Sequence, residues 1–348
     1  MFKISINKLA YVSVLCTLVL ITSCNGCKKK TVDIKIPEHY EPVQISRFEK
    51  ELFTIDSNHV ENGLVELYKN YGQIYLSYAH DLMAMKNEPE DTLYLKPMSM
   101  LVMYQPFRLL QKQVDASFGD MKDIANELGL ANAIYKQEFP KRATPHYVTF
   151  ISEYSYANVT YDSLMCIGLD MYMNDELGKF YRTLEFPEFM IRKLRKDYIV
   201  PNTIKALGIS QFDEQTTKDK RFLTQMIFEG KIKYFMQALL PNTPDSIIMG
   251  YTPQQLDWCY KNEGEMWAHF IEKDLLYKNE PSEFTRYFND GPFTSAEGVP
   301  AESSPGIGVF AGWQIVKKYM QLNHKITLEQ LMNETDFDKI LKLSKYKP

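Results

Sequence analysis

The segment from Arg221 to Pro241, RFLTQMIFEGKIKYFMQALLP, constrains the fold more than any other part of the chain. Its apolar residues cover too wide an arc for a helix that lies on a surface, so the pattern predicts a helix packed on more than one side. Glu229 stands beside Gly230 in the middle of the segment. Helical spacing places Lys233 one turn after Glu229, so the carboxylate either forms a solvated ion pair with that amine or points into a pocket.

The N-terminus has the features of an export signal for a lipoprotein. Two lysines precede the apolar run LAYVSVLCTLVLI, which is too short to span a bilayer comfortably, so residues 1–23 are predicted to be a signal peptide. The tetrapeptide ITSC that ends at Cys24 resembles a bacterial lipobox, which implies that Cys24 is acylated and anchors the mature protein in a membrane. Residues 24–40 are predicted to be a polar lipidated tether, and residues 41–348 a single globular domain.

Composition narrows the class of protein. Hydrophobic residues make up 45% of the chain and aromatic residues 13%, which is enough for a real core. The formal net charge is −4, so no basic excess points to nucleic acid, and we expect no nucleic-acid partner. Beyond the lipobox, Cys27, Cys166 and Cys259 have no metal-type spacing. A disulfide between Cys166 and Cys259 and a pair of buried free thiols both remain open.

The order of elements predicts an α+β fold that is predominantly α-helical. Helical patterns precede Thr144, after which PHYVTFISEY and NVTYDSLMCIGLDMY predict two strands of a small antiparallel sheet, with Asp170 at the end of the second. The stretch PEFMIRKLRKDYIVPNTIKALG then predicts a long helix that Pro201 kinks or divides. After an irregular loop over 289–304, SSPGIGVFAGWQIVKKYM predicts a helix capped by serine, whose glycines four residues apart indicate close helix packing.

No motif in the chain specifies a known catalytic chemistry. The six histidines are never three to five residues apart, which excludes an HExxH zinc site, and the chain has no GxSxG elbow or phosphate-binding glycine loop. The candidate carboxylates are Asp170, Glu188, Asp197, Glu229 and Glu302. Sequence alone does not show whether any two of them face each other, as a glycosidase-type pair would.

Four motifs carry a resemblance to a known family. TQMIFEGKIKYFMQALLP, SSPGIGVFAGWQIVKKYM, IGLDMYMND and the closing LKLSKYKP resemble the GldB family of gliding-motility lipoproteins from the Bacteroidota. The resemblance implies an envelope lipoprotein with protein partners in the gliding or linked secretion apparatus. Asn25 follows the lipobox cysteine and a lysine run follows soon after, so by analogy we expect an outer membrane lipoprotein that faces the periplasm.

A weaker resemblance concerns the fold. Strands that end in an acidic turn, then a long helix, then a helix with Glu-Gly in its middle are similar to the zincin-like order of gluzincin-type zinc metallopeptidases. That resemblance implies a third-ligand position for Glu229, but the preceding helix carries Arg192 and its neighbours where histidines should be. A zinc peptidase is therefore not expected, and neither is any other cofactor.

These observations together favour a non-catalytic lipoprotein that binds a protein or ligand in a degenerate peptidase-like cleft. The residues predicted to line the cleft are Asp170, Arg192, Glu229, Lys233, Glu302 and Ser304. Two alternatives stay open at this point. One is a hydrolase of the cell envelope that uses two carboxylates without a metal. The other is a purely structural subunit that makes its contacts through its surface.

Overall fold

The computed structural model describes residues 34–161, 164–216 and 218–348. The predicted signal peptide, the acylated Cys24, Cys27 and most of the predicted tether lie outside the described residues. From Ile34 to Pro348 the chain forms one compact unit. Within the described ranges, no helix combines the length and the apolar character that crossing a membrane requires.

The N-terminal part of this unit is helical, and its helices end where the sequence has helix breakers. The helices are α1 (Phe48–Phe53), α2 (Val60–Tyr71), α3 (Gln73–Ser77) with a π-helical continuation (Tyr78–Leu82), α4 (Leu95–Met103), α5 (Gln105–Phe118) and α6 (Lys122–Glu138). Gly72 separates α2 from α3 with a φ of +49°, a conformation that glycine adopts most readily. Pro106 lies in the first turn of α5, where a missing backbone N–H is tolerated.

A four-stranded sheet combines one strand that precedes the N-terminal helices with three strands that follow them. Its strands are β1 (Ile45–Arg47), β2 (His146–Phe150), β3 (Asn158–Tyr161) and β4 (Leu164–Gly168), in the spatial order β1-β2-β4-β3. The sheet is mixed and not antiparallel as predicted, because β2 pairs in parallel with both β1 and β4, while β3 and β4 pair antiparallel. The second predicted strand is in fact two strands, β3 and β4. Strand β4 therefore runs antiparallel to β3 on one side and parallel to β2 on the other.

The predicted long helix after the sheet is broken at a different place from the one expected. Following a 3-10 turn (Leu169–Tyr172), the elements are α7 (Asn174–Thr183), α8 (Glu188–Ile191), a 3-10 turn (Lys196–Tyr198) and α9 (Ile199–Phe212). The break falls at Arg192–Arg195, and Arg195 has an extended backbone. Pro201 instead lies in the first turn of α9, where it removes no helical hydrogen bond. The predominantly helical α+β class is confirmed, whereas the zincin-like part of the prediction is not confirmed.

The C-terminal half is organised around one buried helix, as the sequence predicts. Its elements are α10 (Phe222–Leu239), α11 (Asp245–Met249), α12 (Pro253–Lys261), α13 (Glu263–Glu272), α14 (Pro281–Phe284), α15 (Ile307–Leu322), α16 (Leu328–Asn333) and α17 (Phe337–Ser344), with short 3-10 turns at Asp213–Thr216, Leu275–Tyr277 and Thr285–Tyr287. Within α10 only Gln225 and Glu229 are not buried. These two residues are one turn apart, so they form the single strip of α10 that solvent reaches.

Two glycines bring α10 and α15 into backbone contact. A Cβ added to Gly312 would lie 1.8 Å from the carbonyl oxygen of Met226, and one added to Gly230 would lie 2.2 Å from the carbonyl group of Gly312. No side chain larger than hydrogen fits at either position without moving a helix. The close helix packing that the glycine spacing predicts is thereby confirmed.

Candidate functional site

A cavity of about 180 Å³ lies beside the solvent-accessible strip of α10. It is bounded by α9, α10, α11 and the start of α15. The chain between α8 and α9, the loop at Gly250 and the loop at Asp290 complete the wall. Its lining residues are Lys193, Tyr198, Asn202, Lys205, Glu229, Lys233, Met236, Ile247, Ile248, Met249, Gly250, Tyr251, Phe288, Asn289, Asp290, Pro305, Gly306 and Val309. Charged and amide groups from several different elements therefore meet around one partly enclosed space.

The walls of the cavity are fixed by hydrogen bonds between loops. Tyr251 is buried, and its hydroxyl donates to the carbonyl oxygen of Pro305 at 2.6 Å, which holds the segment before α15 against the end of α11. Gly250 ends α11 with a φ of +74°, and the aliphatic stem of Lys193 lies 3.3 Å from the place its Cβ would occupy. A larger residue at Gly250 would be strained in its backbone and would crowd the amine that reaches the cavity.

Lys233 is the most deeply buried charged group of the cavity. Its side chain belongs to α10, the residue is 6% exposed, and its Nζ donates to the carbonyl oxygen of Ile248 at 2.8 Å. Burial lowers the pKa of Lys233 to about 7, and the neighbouring amine of Lys205 acts in the same direction, while Glu229 opposes it. At neutral pH this amine is therefore poised between its neutral and charged forms.

Two more amines reach the same cavity from other elements. Lys193 lies in the break after α8 and forms an ion pair with Asp290, yet burial still lowers its pKa below the usual range. Lys205 lies on α9, and within the described part of the chain it has no hydrogen-bond or ion-pair partner. The cavity thus gathers three lysines against two carboxylates, one of which is already paired.

Glu229 points into this cavity and does not pair with Lys233. The half-buried carboxylate accepts a hydrogen bond from the side-chain amide of Gln225 at 3.1 Å. Among the described residues no ion pair within 4.0 Å joins Glu229 to an amine, since Lys233 turns to Ile248 instead. Of the two readings that the spacing leaves open, the structure shows the pocket and not the ion pair.

The other residues of the predicted cleft are distributed differently. Arg192 donates to the carbonyl oxygen of Gly250 at 3.1 Å, so it supports the cavity wall from outside, and its own side chain lies in a separate shallow pocket with Arg182 and Arg195. Glu302 is exposed in the loop before α15 and does not line the cavity. Of the six residues predicted to line a cleft, Glu229 and Lys233 are the two that line this cavity.

Ser304 is close to the cavity but does not cap a helix. Its hydroxyl donates to the backbone carbonyl of Gln255 at 2.6 Å, and the residue is fully buried. The helix α15 begins only at Ile307, after Gly306 with a φ of +57°. The predicted serine cap is wrong because the chain makes a left-handed turn at Gly306, which a backbone without a Cβ allows.

Asp170 lies outside the cavity and has a structural environment. It is fully buried, and its carboxylate accepts backbone N–H bonds from Ser152 and Tyr154, the latter at 2.6 Å. Burial raises the pKa of Asp170 to about 6, although these hydrogen bonds act in the opposite direction. The carboxylate fastens the loop after β2, in which Glu153 and Tyr154 have positive φ angles.

The cysteines that the structure describes do not form a disulfide. Cys166 in β4 and Cys259 in α12 are buried free thiols, so the second of the two open alternatives is the one observed. Burial raises the pKa of each thiol to about 12. Across the described residues, no group of three His, Cys, Asp or Glu side chains is placed to hold a metal ion.

Three residues of the cavity escaped sequence reasoning, namely Lys193, Lys205 and Asp290. They are separated along the chain and occupy a helix break, a helix and a loop, so no spacing rule connects them. The sequence gives one indirect indication of this site, and it concerns Lys205. Lys205 lies on a helix with little polar surface, and a lysine on such a helix marks either a solvent-facing edge or a polar pocket.

Comparison with known proteins gives one match. No curated protein and no solved structure matches this chain. The family model described as gliding motility protein GldB matches residues 27–348, which is nearly the whole chain beyond the predicted signal peptide. The family resemblance seen in the sequence is thereby confirmed, and the chain belongs to the GldB family of gliding-motility lipoproteins.

Proposed function

We propose that this lipoprotein supports gliding motility without catalysis, by binding a ligand or a partner segment in the cavity beside α10. The observation that carries the proposal is the meeting of Glu229, Lys205 and Lys233 at one partly enclosed space of about 180 Å³. Buried charged groups are costly unless they are satisfied, so a fold that keeps them around an open space has a use for that space.

The charge pattern of the cavity favours binding over hydrolysis. A hydrolase that works with two carboxylates needs both of them free on opposite sides of the substrate. The carboxylates at this cavity are Glu229 and Asp290, and Asp290 is engaged in its ion pair with Lys193. A metal-independent glycosidase mechanism therefore has less support than recognition of a bound group.

Family membership and the sequence together support a proposal for the location and the partners. Acylation at Cys24 would tether the domain to a membrane, and the residues after Cys24 favour the outer membrane with the domain in the periplasm. Partners in the gliding apparatus or its linked secretion machinery would then reach the cavity from the periplasm. Pull-down from detergent-solubilised outer membrane, compared between wild type and cavity variants, tests this arrangement.

Complementation of a gliding strain that lacks its own family member tests the proposed function. We expect Glu229→Ala and Lys205→Met to reduce colony spreading while the protein accumulates normally, because both side chains face the cavity and neither is fully buried. Glu302→Ala is the matched control, since Glu302 is an exposed acidic residue away from the cavity. Normal spreading of both cavity variants would refute the proposal and favour the purely structural subunit.

A further inference from the structure

We infer that the cavity beside α10 holds a small oxyanion, of the carboxylate, sulfate or phosphate type, between the amines of Lys193, Lys205 and Lys233. The inference rests on the proposed function, in that it names what the cavity binds. It draws on the positions of the three amines, on the hydrogen bonds that they leave unused, and on the size of the space between them.

The three amines come from separate elements and converge although they repel one another. Lys205 is on α9, Lys233 is on α10, and Lys193 lies in the break between α8 and α9. Both Lys193 and Lys205 act against the charged form of Lys233. Asp290 pairs with Lys193 and Glu229 offsets one further charge, so an excess of at most one positive charge faces the cavity, and a bound anion would relieve the repulsion between the amines.

The amines also retain donor capacity that the protein does not use. A charged lysine has three N–H donors, and Lys233 uses one of them on the carbonyl oxygen of Ile248. Lys205 has no acceptor among the described residues. Asn202 and Asn289 line the same space, although the side-chain amide of Asn202 already donates to the hydroxyl of Tyr172. Several donors and a positive field directed at one space are what an oxyanion requires.

The size of the cavity limits the ligand to a small group. A volume of about 180 Å³ admits a compact anion with a few waters, or the anionic end of a larger molecule, but not a folded segment of protein. Tyr198 and Met236 are part of its wall and offer apolar surface beside the amines. The carboxylate of Glu229 shares the space and repels an anion, so it restricts the site to the lysine side.

Binding of an anion should be coupled to uptake of a proton. Burial lowers the pKa of Lys233 to about 7, and an adjacent anion would stabilise its charged form. The groups that face it are Lys205 from α9, Lys193 from the break after α8, Glu229 from its own helix and Asp290 from the loop before α15. Tyr198 and Tyr251 also line the space, and the hydroxyl of Tyr251 donates to the carbonyl oxygen of Pro305. Affinity is therefore expected to fall as pH rises through neutrality.

Calorimetric titration of the full chain in detergent tests this inference, with sulfate and succinate as separate probes. Sulfate keeps its charge near neutrality, so any proton that is taken up belongs to the protein. We expect saturable binding of at least one probe, and the comparison distinguishes a tetrahedral from a carboxylate ligand. Repeating the titration at about pH 8 in two buffers of different ionisation enthalpy should reveal uptake of up to about one proton.

Four variants make the test specific to the cavity. Lys205→Met and Lys233→Met should each weaken binding by about tenfold or more, because each removes a charged donor. Glu229→Gln should tighten binding, because it removes a repelling charge and keeps the size of the side chain. Lys231→Met is the matched control, since Lys231 is an equally buried lysine of α10 whose pKa is also lowered to about 7 but which does not line the cavity.

The results separate this inference from the proposed function. The oxyanion inference would be overturned if neither probe binds saturably. It would also be overturned if Lys205→Met and Lys231→Met change the binding equally. Because Lys205 is only half-buried, its variant remains informative even if Lys233→Met fails to fold. The proposed function would survive such a result if cavity variants still abolish colony spreading, and it would fail if oxyanions bind but the same variants spread normally.

Discussion

Replacement of Gly312 by alanine tests the account of the core most severely, because the two central helices touch through their backbones there. The new Cβ would lie 1.8 Å from the carbonyl oxygen of Met226, whereas ordinary contact begins near 3.4 Å. The helices α10 and α15 must therefore move apart by about 1.6 Å, and neither backbone can rotate away as a side chain would. Overpacking typically costs about 1–3 kcal/mol, and we expect the upper end here. In a chain of this size that lowers the melting temperature by roughly 5 °C.

The assay is thermal unfolding of the full chain in detergent, followed by circular dichroism. The matched control is Gly264→Ala in α13, where the added Cβ would meet only the C-terminal Pro348, with its carbonyl oxygen at 3.7 Å. There the same substitution should stabilise the protein by about 0.5–1 kcal/mol, because alanine loses less entropy in a helix than glycine does. The reasoning is refuted if Gly312→Ala melts at or above the wild type, or if both variants lose stability equally.

Other predictions concern buried ionisable groups. Relative to Lys231→Met, the wild type should gain free energy of unfolding as pH rises from about 7 towards about 10. The reason is that Lys231 is charged in the unfolded chain and largely neutral when buried. Parallel curves of the two proteins in pH-dependent urea unfolding would contradict this. Asp170→Ala should cost roughly 2 kcal/mol or more in urea unfolding near neutral pH, since it leaves buried N–H groups without an acceptor, and an unchanged midpoint would refute that role. The raised pKa of Asp170 also implies that the wild type loses stability, relative to this variant, as pH rises from about 4 through about 6. Alkylation followed by mass spectrometry should find Cys166 and Cys259 unmodified in the folded protein and modified after denaturation, and rapid labelling of either one before unfolding would contradict their burial.

The sequence was most informative where a local pattern decides the structure. The width of the apolar stripe in α10 and the spacing of Gly308 and Gly312 in α15 both predicted burial and close packing correctly, because helical periodicity alone determines which faces must be covered. The predominantly helical class followed in the same way. The arrangement of parallel and antiparallel strands could not be predicted from a local pattern, since it depends on which strands meet after the chain has folded.

Errors at the site came from contacts between residues that are distant in sequence. An ion pair of Lys233 with Glu229 was one of the two arrangements that the helical spacing left open, but the carbonyl oxygen of Ile248 offers a buried acceptor that no spacing reveals. The helix break after Ile191 brings Lys193 to the cavity, whereas the sequence predicted that the helix would be kinked or divided at Pro201. Lysines and aspartates from separate elements became a site only through tertiary packing.

The proposed function requires the lysine side of the cavity beside α10. Its most direct test is colony spreading of the deletion strain complemented with Lys205→Glu, at a protein level matched to wild type by immunoblot. Lys318→Glu is the control, because Lys318 is an exposed lysine of α15 that does not line the cavity. The account predicts that Lys205→Glu abolishes spreading while Lys318→Glu preserves it. Equal spreading of the two strains would contradict it.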